Sequence, residues 1–186
     1  MEVIYSCPLF IIFSLTCLGA TTLMALAEDH RFKQGLVLDG WLFPLKDEEI
    51  SPTQPIVFIN TESFMNRQNI NRMKMFLTGI KDRRMVFIKG SVHQNHIDAP
   101  LIFKSGIIKK IIGMQSDTDP VLVLDLNDKL MLHFIWTNLG MELDKDVVQF
   151  LDHHESVLIE ASDDGQKSEE YLTESDSVKE EITQEN

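Results

Sequence analysis

Three short apolar runs punctuate the middle of the chain: Leu36-Val37-Leu38, Ile56-Val57-Phe58-Ile59 and Met85-Val86-Phe87-Ile88. None alternates with polar residues as a half-solvated strand would. Runs of this length, bounded by Gly, Pro and charged residues, predict strands covered on both faces. Before and between them the period changes. Ala20, Leu23, Met24 and Ala27 recur at three and four spacing, and Phe64, Met65, Ile70, Met73, Phe76 and Leu77 make a second apolar face. That period predicts helices over 19–32 and 63–77. A further helix is expected over 128–140, with Asn127 or Asp128 as cap and Gly140 as stop. Strands alternating with helices predict a parallel sheet with helices on its faces, an α/β fold.

Residues 3–27 carry no charge and end in Ala25-Leu26-Ala27 before Glu28-Asp29. Three readings stand. The segment is a secretory signal with an Ala-x-Ala site, a membrane span, or, after Gly19, a buried core helix. Glu2, with no Lys or Arg before the apolar run, fits a signal poorly. Residues 1–18 stand as an unrelated apolar leader, a possible signal or anchor, and 19–162 as a partial α/β domain.

Charge changes the picture at the other end. The chain has 186 residues and a formal net charge of −12. From 163 to 186 there are nine Asp or Glu against Lys167 and Lys179, so −7 of that charge lies in the tail. Such a tail buries too little apolar surface to offset its ordering entropy and is expected to be disordered. The body has no basic stripe, which argues against nucleic acid as a partner. Cys7 and Cys17 are the only cysteines, so the body beyond them uses no disulfides.

Candidate chemistry sits at the ends of two apolar runs. Asp39 follows Leu38 directly, and His93 lies in Gly90-Ser91-Val92-His93-Gln94-Asn95, just past Ile88. The carboxyl ends of strands are where open α/β sheets place functional groups. An Asp before Gly40 also serves simply to start a turn. A histidine there exposes the side chain whose proton affinity lies nearest neutrality. The order Asp then His is that of the later triad members in α/β-hydrolases. His93-x-x-His96 with Asp98 lies on a turn rather than a helix face and is not read as a metal site. His153-His154-Glu155 reads as solvated surface.

These stretches resemble a known family. Gly19-Ala20-Thr21, Glu28-Asp29-His30-Arg31-Phe32, Leu38-Asp39-Gly40-Trp41-Leu42-Phe43-Pro44-Leu45, Phe58-Ile59-Asn60 and Gly90-Ser91-Val92-His93-Gln94-Asn95 look like the C-terminal half of platelet-activating factor acetylhydrolases, the calcium-independent group VII phospholipases A2. The similarity runs from about Gly19 to Ala161. Gln94-Asn95 is most similar to the plasma-type enzymes, while Asn60-Thr61-Glu62 also resembles the intracellular type. The resemblance implies an α/β-hydrolase fold and hydrolysis of the short sn-2 acyl ester of a phospholipid, as in a 1-alkyl-2-acetylglycerophosphocholine esterase. It implies Asp39 as triad carboxylate, His93 as triad base, and Trp41 and Gln94 as pocket-lining residues. No metal or cofactor is implied. The implied partner is phospholipid at a membrane or lipoprotein surface, and the plasma-type likeness implies secretion, with cytoplasmic or membrane-anchored placement as the alternatives.

The chain departs from the family at one point. Where the family has Gly-His-Ser-Phe-Gly-Gly, this chain has Ser14-Leu15-Thr16-Cys17-Leu18-Gly19. Thr16 takes the nucleophile's position, and the glycines that a strained elbow needs are absent. The expectation is therefore a fragment: the C-terminal part of the sheet without its N-terminal half or nucleophile elbow, inactive as written. The alternative is a catalytically dead remnant that binds lipid surfaces or partners. The stretch 98–114, with Lys104, Lys109 and Lys110, is expected to be an amphipathic helix that adsorbs to lipid or packs on the sheet.

Overall fold

The computed structural model describes residues 10–15, 18–45, 49–64, 66–79, 82–103, 106 and 113–161. Among these residues five strands form one sheet in the order β1-β2-β3-β4-β5. They are β1 (Phe10–Leu15), β2 (Phe32–Leu38), β3 (Ile56–Thr61), β4 (Arg83–Ile88) and β5 (Leu158–Glu160). The first four run parallel, and β5 is antiparallel to β4. Parallel neighbours need crossover connections, and α-helices supply two of them, while the described part of the β2–β3 connection holds only a 3₁₀ turn over Phe43–Leu45. Helix α1 (Gly19–Glu28) joins β1 to β2, and α2 (Arg67–Leu77) joins β3 to β4. After β4 come the short α3 (Ala99–Ile102), the long α4 (Pro120–Leu139) and α5 (Lys145–His153).

The three apolar runs are strands β2, β3 and β4, and alternation sends their side chains to two cores. Val37, Ile56, Phe58, Met85 and Phe87 pack with Leu23 and Leu26 of α1 and with Ile70, Met73 and Leu77 of α2. Leu36, Leu38, Val57, Ile59, Val86 and Ile88 pack with Val123, Leu126, Leu130 and Phe134 of α4. Both faces of the strands are thus covered, which is why polar alternation is missing from them.

Three expectations are corrected. The expected leader 1–18 contains part of the sheet, because residues 10–15 form β1 and pair with β2 from Phe10↔Phe32 to Leu15↔Leu38. The helix expected over 19–32 stops at Glu28. There Asp29 accepts from the Arg31 backbone and guanidinium, and Phe32 already opens β2. The helix expected from 128 begins at Pro120, with the Asp119 carboxylate accepting the Val121 N–H at 3.0 Å. Its stop is Gly140, in the left-handed conformation at φ 64°. Of the helix expected over 98–114, α3 is described, while Lys104, Lys109 and Lys110 lie outside the described residues. So do the acidic tail and residues 1–9 and 16–17. Among the described residues no helix is long and apolar enough to cross a membrane.

One backbone contact fixes the start of α1 against the turn that follows β2. A Cβ on Gly40 would stand 2.1 Å from Val37 Cγ1 and 3.1 Å from Gly19 Cα, and one on Gly19 would stand 2.7 Å from Gly40 Cα. Only hydrogen fits on either side. The Ala20 N–H donates to Trp41 O across this contact at 3.2 Å. Gly40→Ala should lower stability by about 1–3 kcal/mol through overpacking. Chemical denaturation checks this, and an unchanged midpoint would count against the contact.

Candidate active site

Asp39 ends β2 with a positive φ of 43°, a left-handed conformation that Asp tolerates better than most residues. Its N–H donates to Ile59 O at 3.0 Å, continuing the β2–β3 ladder one step past the strand. The left-handed turn sends the carboxylate into the sheet edge, where it is fully buried. Thr61, at the end of β3, meets it twice. The Thr61 N–H donates to Oδ1 and the Thr61 hydroxyl to Oδ2, each at 2.6 Å.

The third strand brings the imidazole. Beyond β4, Gly90 turns the chain at φ 63°, and a Cβ there would stand 2.6 Å from Thr118 Oγ1. Glycine is required on both counts. The Gly90 N–H donates to Glu62, and Ser91 O accepts the Ser63 N–H at 3.1 Å, so the loops after β3 and β4 are fastened together. The Asn95 side chain accepts the Val92 N–H at 2.8 Å and closes a 3₁₀ turn over His93–His96. This turn carries His93 back over β2. His93 Nδ1 lies 2.9 Å from Asp39 Oδ2.

An ionised carboxylate only accepts, so the ring proton belongs on Nδ1 and Nε2 is left bare. The His93 side chain is 33% exposed and Asp39 is not exposed at all. The carboxylate therefore lies behind the ring while part of the imidazole reaches solvent. Phe64 stacks on the ring at 5.0 Å, 17° from parallel. Burial pushes the Asp39 pKa up more than any other single influence. The contacts from His93, His96 and Thr61 together outweigh it and hold the carboxyl below its ordinary value.

The other expected residues fall as follows. Trp41 stands edge-on to Phe64 at 5.9 Å and lines a small cavity of about 100 Å³ with Phe43, Asn66 and Asn69. Gln94 is half-buried on the His93 turn, its amide near Gly113. Thr16 lies between β1 and α1, outside the described residues.

Comparison with known proteins bears on this arrangement. Residues 11–157 match the family model described as platelet-activating factor acetylhydrolase, isoform II. The chain belongs to this platelet-activating factor acetylhydrolase family. It is 40% identical over 129 residues to the Bos taurus platelet-activating factor acetylhydrolase and 42% identical over 130 residues to that of Canis lupus familiaris. Each match covers 69% of this chain and 29% of the relative. The Gallus gallus protein of the same name is 36% identical over 131 residues, covering 69% of this chain and 31% of its own. The matched part thus spans less than a third of these relatives. The family match begins at 11, within β1, and not near Gly19.

Within this acetylhydrolase-family fold, sequence reasoning missed four residues. Thr61 figured only in the Asn60-Thr61-Glu62 likeness to the intracellular type, with no role at the site, yet it donates twice to Asp39. His96 was weighed only as a metal ligand, yet its buried Nε2 lies 3.1 Å from Asp39 Oδ2. Asn127 was read as a helix cap, yet it is buried inside α4, its amide nitrogen 2.9 Å from His96 Nδ1. Asn69 of α2 accepts the Leu42 N–H and donates to Gly40 O, both at 2.8 Å, clamping the turn after Asp39. Asn69 did leave a signal: a polar residue beside Ile70 on the apolar face of its helix.

Two outcomes are expected. Asn69→Leu leaves a buried N–H and a buried carbonyl unpaired, and should cost about 1–3 kcal/mol for each group by denaturant titration. Asp39 has a lowered folded pKa, so its stabilisation is complete above the unfolded carboxylate value and lost as pH falls through the folded one. Below about pH 4 the native chain should lose stability more steeply than Asp39→Asn. Parallel pH profiles for the two proteins would contradict this.

Proposed function

We propose that this chain carries the carboxylate and base of a serine-type esterase triad on an α/β-hydrolase sheet, directed at short sn-2 acyl esters of phospholipids. The single observation that carries the reading is the 2.9 Å contact between buried Asp39 Oδ2 and Nδ1 of the partly exposed His93 ring at the carboxyl ends of parallel strands. The family relatives, named for acetylhydrolase activity on platelet-activating factor, supply the substrate class.

Asp39 holds the imidazole with Nδ1 protonated and Nε2 bare, and stabilises the imidazolium that forms in the reaction. His93 Nε2 takes the proton of a nucleophilic hydroxyl as that oxygen bonds to the ester carbonyl carbon. The tetrahedral adduct collapses, the ester C–O bond breaks, and the same proton passes to the departing glycerol oxygen. Water then repeats the sequence on the acyl intermediate, releasing the acid and restoring the hydroxyl. The nucleophile belongs on the turn between β1 and α1, the strand-to-helix position used by α/β-hydrolases. Thr16 occupies that stretch, with Ser14 and Leu18 in place of glycines.

That substitution favours a second reading, a non-catalytic lipid-surface module. Exposed Ile97, Leu101, Ile102 and Phe103 follow the His93 turn and support contact with phospholipid at a membrane or lipoprotein surface.

The test restores Gly-x-Ser-x-Gly by Ser14→Gly, Thr16→Ser and Leu18→Gly in the full chain, assayed on a 2-acetyl phospholipid. The parent should turn over slowly or not at all. The triple variant should gain hydrolysis that His93→Ala lowers by about 10²-fold or more. Activity in the folded triple variant that is indifferent to His93 would sink the triad reading. Vesicle binding by the parent, with no turnover in either form, would favour the second.

A further inference from the structure

Two imidazoles, not one, reach Asp39. His93 Nδ1 lies 2.9 Å from Oδ2 and His96 Nε2 lies 3.1 Å from the same oxygen, one turn further along the chain. Their surroundings differ sharply. The His93 side chain is 33% exposed, and that of His96 is not exposed. The rings stand nearly perpendicular, at 85°, with centroids 6.4 Å apart. His96 therefore has no path to a substrate. Its one open chemical direction is toward the carboxylate.

The other ring nitrogen fixes its tautomer. His96 Nδ1 lies 2.9 Å from the amide nitrogen of Asn127, which is buried in the middle of α4. An amide NH₂ only donates, so Nδ1 accepts and the ring proton sits on Nε2, facing Asp39. The Nε2–H approaches Oδ2 obliquely and does not form a fully aligned hydrogen bond. Its placement still crowds the oxygen. Oδ2 receives the Thr61 hydroxyl at 2.6 Å and His93 at 2.9 Å with His96 Nε2 3.1 Å away, while Oδ1 receives the Thr61 N–H at 2.6 Å. A carboxylate so surrounded cannot rotate without giving up several donors together.

We infer that His96, locked by Asn127 as the neutral Nε2–H tautomer, is a positioning residue that holds Asp39 Oδ2 toward His93 and shares its negative charge. The catalytic meaning of this rests on the triad proposed above; the tautomer and the sharing do not. Two consequences follow from the charge. With His96 removed, Oδ2 concentrates its charge on His93 and Thr61, and the His93 Nδ1–H bond becomes stronger. With Asn127 removed, Nδ1 loses its donor and only the oblique approach to Asp39 Oδ2 still favours the Nε2–H form.

The test is imidazole ¹⁵N and ¹H NMR on the full-length chain at pH 7.5. His96 should show a protonated Nε2 and a bare Nδ1. Asn127→Leu should replace that pattern with a mixture of tautomers. His96→Leu should move the His93 Nδ1–H resonance downfield. His96→Gln, whose amide can reach the same oxygen, should return it toward the parent position. A His96 protonated on Nδ1, alone or on both nitrogens, would overturn the inference. So would a His93 signal indifferent to His96→Leu in a folded chain. If His96→Leu fails to fold, the Asn127→Leu and His96→Gln spectra decide. None of these readings needs turnover, so loss of the esterase proposal and loss of this one are separable.

Discussion

A carboxylate with no exposure needs compensation from its surroundings, and Asp39 is such a group. Taking an ion of this size out of water leaves a penalty of several kcal/mol even after relaxation. Here the compensation comes from one strand and one turn beyond Asp39's own. Thr61 gives a backbone N–H and a hydroxyl, and the His93–His96 turn gives two ring nitrogens. None of these donors is close in sequence. They meet only if β2, β3 and β4 lie parallel and side by side, so that their carboxyl ends converge. The charge thus depends on the sheet order, and the sheet edge is organised around the charge.

The packing explains why that edge can be rigid. Each strand from β2 to β4 is covered on both faces, by α1 and α2 on one and by α4 on the other. The turns that leave the strands are tied down separately. Gly40 and Gly19 touch backbone to backbone, Asn69 clamps the turn from 40 to 42, and Gly90 is pinned against Thr118. Such supports keep a buried ion and its imidazole in register without help from solvent. In the proposed triad they also divide the two histidines between different tasks. The one that reaches solvent suits proton transfer, and the one that does not suits holding the carboxylate.

Much of this was legible in the residues, and the gaps have physical causes. Unbroken apolar runs marked β2, β3 and β4 because strands covered on both faces have no polar side to show. Asp39 and His93 stood out because each follows such a run directly. Strand β1 was read as leader because an uncharged apolar stretch looks the same in a signal, a span or a buried strand. The start of α4 was misjudged because Asn127 and Asp128 resemble a cap. Asn127 is instead a buried partner of His96, which lies 31 residues earlier. Polar residues inside a helix disclose their role only when the facing element is known. The same holds for Thr61 and Asn69, whose partners lie more than twenty residues away.

The central claim is that buried Asp39 orients His93 for proton transfer. The most direct measurement is the ring ¹⁵N spectrum of His93 in the native chain and in Asp39→Asn. The account predicts Nδ1 protonated and Nε2 bare in the native chain, with that preference lost in the variant. A native His93 protonated on Nε2, or one whose tautomer ignores Asp39→Asn, would contradict it.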